Sequence, residues 1–253
     1  MTVLFVIFRG FITRLLNRRR FFWLALIGAA PAPILFLISQ SESSDSVVSL
    51  YNDLTVTLGM STLYPVVALI IATATLGQEW KSGTLPFLLV KPVSRWGIAA
   101  GALAAAAVAS FVVIEAGVLL TWVVAGLVGG DWSVGLATTV AVAIQSVASA
   151  AIFVPLGLIL GRATLVGLGY LLIWEGILSS IIAGIQASSV YRIVVSAWAD
   201  LASLDLDNLT LVLDIIGRVE VGIGGAVAKV SIMALVSVML TGLVLRHRDL
   251  IGE

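Results

Sequence analysis

Two carboxylates stand where a bilayer would oppose them. Glu115 lies in the apolar run 97–128 and Glu175 in the run 164–187, each well inside its stretch. A carboxylate at that depth costs at least ~2.5–3.5 kcal/mol on insertion scales, so each is expected to be neutral, paired or turned toward a polar cavity. One reading makes the pair a proton or cation relay, or the lining of a substrate path. The other is structural: a protonated carboxyl donates a hydrogen bond to a neighbouring helix. The residue types alone leave both open.

Other chemistries find few residues to carry them. The chain has no cysteine, which excludes disulfides, thiolate metal sites and a cysteine nucleophile. Its single histidine, His247, sits between Arg246 and Arg248, so neither a histidine metal cluster nor a Ser-His-Asp triad is expected. Lys81-Ser82 lacks the preceding glycine and the glycine-rich loop that would cradle phosphates, so this chain is not expected to hydrolyse ATP in the P-loop manner. No catalytic residue, bound metal or nucleic-acid patch is predicted. The basic residues follow one face of a membrane, which accounts for them.

A third cluster is mechanical rather than chemical. Gln78–Trp96, QEWKSGTLPFLLVKPVSRW, interrupts two long hydrophobic runs and carries Glu79, Lys81, Lys91 and Arg95. Charge suits a loop, but the block Leu85, Phe87, Leu88, Leu89, Val90 suits a helix that docks on something. Thr84 as a cap with Pro86 near the first helical position would start that helix, and Lys91-Pro92 would stop it.

The pattern E-x-x-x-G-T-L-x-x-L-L-x-x-P-V-S-R, here Glu79, Gly83, Thr84, Leu85, Leu88, Leu89, Pro92, Val93, Ser94 and Arg95, resembles the membrane subunits of ABC-2 type ABC transporters. The resemblance implies that 78–96 is a cytoplasmic coupling helix pressed against a separate P-loop ATP-binding subunit. Its contact residues would be Glu79, Gly83, Thr84, Leu85, Leu88, Pro92 and Arg95. It also implies two such ATPase subunits, a second permease subunit forming a homodimer, and ATP with Mg held by the partner, with no cofactor in this chain.

The elements that position these residues follow from composition. Of 253 residues, 60% are hydrophobic and 11% charged, with a mean hydropathy of +1.14. Soluble domains carry about 25% charged residues, so this is an all-α integral membrane protein. Residues 1–20 place Leu4, Phe8, Phe11 and Leu15 at helical spacing among arginines, an interfacial amphipathic helix ahead of a basic anchor. A transmembrane domain, 21–253, follows. Six spans are predicted: 21–39 with Pro31 and Pro33 as a kink, 54–77, 97–128, 134–160, 164–187 and 224–245. Gln40–Asp53 reads as an acidic, exposed loop. With the N-terminus inside, eleven of the fourteen lysines and arginines fall on the inner side, which places both termini and 78–96 in the cytoplasm.

Between spans five and six, 188–223 repeats apolar residues at Val190, Ile193, Val194, Ala197, Leu201 and Leu204, one face of a helix. Arg192, Ser196, Asp200 and Ser203 fall on other faces, and Leu209–Val219 reads as a second helix. The resemblance implies extracellular, partly re-entrant helices here; the residues alone equally allow an amphipathic segment resting on the outer leaflet. Lys229 either snorkels outward or reaches one of the two acids. Asn208-Leu209-Thr210 is a weak sequon. Gly97-x-x-x-Gly101 and Gly157-x-x-x-Gly161 are packing hints, and Trp122, Trp132, Trp174 and Trp198 include interface anchors.

The expected function is thus the permease subunit of an ATP-driven exporter in a prokaryotic plasma membrane, in contact with lipid and with no nucleic-acid partner. The rivals are a secondary transporter driven through Glu115 and Glu175, and a non-transporting membrane anchor for an ATPase. An intramembrane enzyme has two acids in its favour and no accompanying base or metal cluster.

Overall fold

A computed structural model describes residues 3–40, 44–84, 94–129, 132, 134–182, 186–202 and 222–248. Among them the regular structure is helical, with no strand. In order these are α1 (Val3–Leu15), α2 (Arg18–Gly28), α3 (Pro31–Ser39), α4 (Ser44–Leu54), a wide-turn π segment (Thr55–Leu63), α5 (Tyr64–Lys81), α6 (Arg95–Gly129), α7 (Val134–Ile159) and α8 (Ala163–Tyr170). A second π segment (Leu171–Leu178) continues α8 and closes with a turn at Ser179–Ile181; α9 (Val190–Ala202) and α10 (Gly222–Arg248) complete the chain.

Helices α6 and α7 form the centre. Helix α7 packs most extensively on α5, and also on α6, α9 and α10, while α1 to α4 lie along α6. Lipid tails are as apolar as leucine, so helices associate here by close packing rather than by escaping water. The alanine-rich start of α6 does this: Ala99, Ala102, Ala105, Ala106 and Ala109 are fully buried. Glycines bring backbones together at two crossings. A Cβ on Gly157 would lie 2.4 Å from the Thr73 carbonyl oxygen, and one on Gly117 would lie 2.4 Å from the Gly28 carbonyl carbon. Gly101 faces Ile7 of α1, whereas a Cβ on Gly161 would meet nothing within 4 Å.

Among the described residues five helical stretches are long and apolar enough to cross a membrane: Arg18–Ser39, Val47–Lys81, Arg95–Gly129, Gly135–Ile159 and Gly222–His247. The predicted fifth span falls short of that length, with Ala163–Leu178 reaching 16 residues. The chain leaves helical geometry at Ile182, whose φ of −105° and ψ of 106° are extended. The first span is broken rather than kinked. Pro31 and Pro33 start α3 afresh after a turn at Ala29-Ala30, and that turn lies against Gly117. Outside the described residues lie the predicted turn at Gly129–Asp131 beyond Gly129, the helix over 209–219 and the sequon.

The acidic loop over 40–53 is corrected. From Ser44 the chain is helical, and Val47 and Tyr51 are buried beside Leu35 and Ala125. The spacing Val47, Tyr51, Leu54 is that of a helix face, which the serines and acids around it obscured.

The second span carries a feature that composition hides. Pro65 has no amide hydrogen, and the turns before it are π-helical, so the carbonyl left without a donor is that of Met60, five residues back. Gln145 of α7 supplies the donor, with Nε2 2.7 Å from the Met60 oxygen. The Tyr64 ring fills the space over Gly59, where a Cβ would come within 2.6 Å of it. Inside a bilayer no water would otherwise satisfy that carbonyl.

Candidate functional site

The last turn of α5 builds the first site. Glu79 is buried and pairs with the Arg14 guanidinium of α1, which itself stays largely in the open. The Thr84 hydroxyl donates to the other carboxylate oxygen of Glu79. Helix α5 then ends on Gly83, at φ +68°, a left-handed conformation that favours glycine. The Gly83 amide bonds the Trp80 carbonyl at 3.2 Å and the Thr84 amide bonds the Glu79 carbonyl at 3.0 Å, the paired bonds of a Schellman cap. Ser82 Oγ lies 2.8 Å from Thr84 Oγ1 and tightens the same turn.

On the far side, α6 has its own start. Ser94 Oγ accepts the Gly97 amide at 3.0 Å, which makes Ser94 the N-cap and Arg95 the first helical residue. Arg95 is half-buried, and its neighbour Trp96 covers Gly242 of α10. Glu79, Gly83 and Thr84 are therefore brought into one cap, and Arg95 opens the next helix. Leu85, Leu88 and Pro92 lie outside the described residues. Sequence reasoning missed Arg14, which is 65 positions from Glu79. The available signal was that Glu79 is the one acid before the C-terminal tail on a side crowded with arginines.

Glu115 and Glu175 occupy different surroundings. Glu115 is buried, and Thr139 of α7 donates to its Oε1 at 2.6 Å. Its Oε2 is buried without a hydrogen-bond partner. Glu175, in the second π segment, is the N-terminal support of α9. It accepts Ser189 Oγ at 2.6 Å, the Val190 amide at 3.0 Å, Tyr170 Oη at 3.1 Å and the Tyr191 amide at 3.4 Å. A carboxylate at this end of a helix satisfies amides that the helix cannot, and complements its dipole. Sequence reading missed Tyr170 and Ser189 as its partners; Ser189 ahead of an apolar helical run was the available signal.

Helix α9 does not rest on a surface. Trp198 is fully buried with Nε1 3.2 Å from Thr138 Oγ1, so it is no interface anchor. Arg192 and Ser196, expected on polar faces, are buried too, and Arg192 donates to the Ser179 carbonyl at 3.1 Å. Lys229 reaches neither acid; its Nζ donates to the Ala187 carbonyl at 3.3 Å. Between these parts opens a cleft of about 350 Å³, lined among others by Ser61, Thr62, Leu172, Glu175, Tyr191 and Arg192. Among the described residues, no three His, Cys, Asp or Glu side chains are grouped to hold a metal.

A helical bundle with five membrane-length helices among the described residues has the make-up of a multi-pass membrane protein. The chain belongs to the family described as ABC-2 family transporter protein, whose model matches residues 16–195, over two thirds of its length. That match runs from the end of α1 into α9 and takes in the Glu79 cap, Glu115 and Glu175. The comparison with curated proteins gave no match.

Proposed function

We propose that this chain is the permease subunit of an ATP-driven ABC-2 exporter, coupled to separate ATP-binding subunits through 78–96. Two such subunits would hold ATP and Mg, and a second copy of this chain would complete the path. Ala163–Leu178 with the residues after it would make the sixth crossing of a prokaryotic plasma membrane, both termini being cytoplasmic.

The observation that carries the coupling reading is the pair of caps around 85–93. A Schellman cap closes α5 and a serine N-cap opens α6. Each cap ties the segment to a helix that runs deep into the bundle. Glu79 adds α1 to the same junction through Arg14. A push on the segment would therefore reach three helices as rigid bodies, which suits a domain-level motion better than a side-chain rearrangement.

The test is a pull-down of this protein in mild detergent, with an ATPase assay on what accompanies it, for wild type, Arg95→Ala and Glu79→Ala. A P-loop ATPase should co-purify, and both substitutions should weaken its association or its coupled activity. Absence of any ATPase under all conditions, or normal coupling in both variants, would overturn the reading.

A further inference from the structure

A second cavity, of about 150 Å³, lies where α2, α5, α7 and α8 converge, close to the Glu79 cap. Its polar lining is Arg20, Lys81, Gln78, Thr73 and Thr164, and it contains no carboxylate. Glu79, one position beyond Gln78, is engaged with Arg14 and Thr84. Among the described residues, neither Arg20 nor Lys81 has a carboxylate within ion-pair distance. Two cations and three neutral polar side chains thus line one space. Thr73 and Thr164 stand with their hydroxyl oxygens 3.1 Å apart at its wall. Near it in the chain is exposed apolar surface: Ile159 and Leu165, next to the lining residues Leu160 and Thr164, are exposed, as is Val166.

We infer that this cavity binds a phosphate group, and that an anionic phospholipid carries it. The cations supply point charge and a planar donor fork for the phosphate oxygens, and the Gln78 amide supplies a neutral donor; the Thr73 hydroxyl already donates to the Leu69 carbonyl at 2.7 Å and takes its own bond from Thr164. A basic pocket between helix ends at a membrane surface is suited to a lipid head group. The exposed isoleucine, leucine and valine give the acyl chains a surface to lie along, which a free phosphate would not need. Occupied, the site would bridge α2, α5 and α8 beside the junction that leads to 85–93.

The experiment is native mass spectrometry of the full chain, released from detergent containing equal phosphatidylglycerol and phosphatidylcholine. It compares wild type, the double variant Arg20→Gln/Lys81→Gln, Thr164→Asp, and Arg9→Gln as a surface-charge control. Thr164→Asp puts a carboxylate into the cavity from the first turn of α8, where a helix favours negative charge, so any loss of ligand is not a loss of fold. Wild type and Arg9→Gln should retain at least tenfold more phosphatidylglycerol than phosphatidylcholine, and the other two variants should lose that preference. In a parallel thermal-melt arm, stabilisation by inorganic phosphate that Thr164→Asp abolishes, without retained lipid, would keep the phosphate site and make the free anion its ligand. No lipid preference and no phosphate effect in wild type would overturn the proposal. An equal loss in Arg9→Gln would do the same, because general surface charge would then explain the binding. If the double variant fails to fold, Thr164→Asp still decides.

Discussion

Replacing Gln145 by leucine removes the donor that satisfies the Met60 carbonyl. A hydrogen bond between membrane helices is worth ~0.6 kcal/mol on average and up to ~1.7 kcal/mol. A buried carbonyl left without a partner costs ~1–3 kcal/mol, which includes the lost bond rather than adding to it. One term opposes these. Gln145 Oε1 is itself buried without a partner, and the substitution removes that burden. The expected net cost is ~1–2 kcal/mol, roughly a tenfold change in the folding equilibrium. The cause is the missing amide hydrogen of Pro65, so Pro65→Ala should restore a donor one wide turn beyond Met60. In that background Gln145→Leu should cost less by at least ~0.5 kcal/mol, the coupling expected of two residues that share one carbonyl. Reversible unfolding in mixed micelles by titration with a denaturing detergent would give all four corners of this cycle. If Gln145→Leu costs the same with proline and with alanine at 65, then Gln145 packs against α5 and does not serve the carbonyl.

Three further outcomes are expected. Gly83→Ala forces a Cβ into a left-handed residue and should cost ~1–2 kcal/mol by thermal melting; Gly10→Ala in α1, with open space around it, should be neutral or stabilising. Gly157→Ala would press a methyl into the Thr73 carbonyl and should sharply lower the yield of folded protein, while Gly161→Ala four residues on should be tolerated; equal yields would refute the close α5–α7 crossing. Glu175→Gln replaces one acceptor oxygen by a donor facing the α9 amides and Ser189, and should destabilise by ~1–3 kcal/mol, whereas Glu115→Gln should change stability little and leave transport intact. Loss of transport in Glu115→Gln, with folding unchanged, would return Glu115 to the role of an ion relay.

Long apolar runs are read easily, because each buries or meets lipid along its whole length and needs no partner to be recognised. Helices α5, α6, α7 and α10 were legible for that reason. Helix α4 was not, since Ser44, Ser46, Ser49 and Asp53 give it a loop's composition while Val47 and Tyr51 carry its packing. Arg192 and Ser196 were placed off the apolar face because periodicity weighs hydrophobicity alone. In the folded chain Arg192 serves the Ser179 carbonyl, and the Ser196 hydroxyl accepts the Gly222 amide at 3.3 Å. The polar residues of the site were visible as types, whereas their partners were not. Arg14 with Glu79, Gln145 with Met60 and Thr139 with Glu115 are long-range pairings that no local spacing encodes. The Gly83 cap is the exception, being built entirely from residues 79–84.

Under the proposed function, the two caps at 84 and 94 also separate what folds from what is recognised. The hydrogen bonds that end α5 are complete by Thr84, and those that begin α6 start at Ser94. The nine residues between them lie outside the described residues. A replacement of equal span should leave the bundle assembled, so under the proposed function specificity for an ATPase could be exchanged without renegotiating the membrane fold. Selection on this stretch is then free to follow the partner, while selection on Gly83 and Ser94 follows the chain itself.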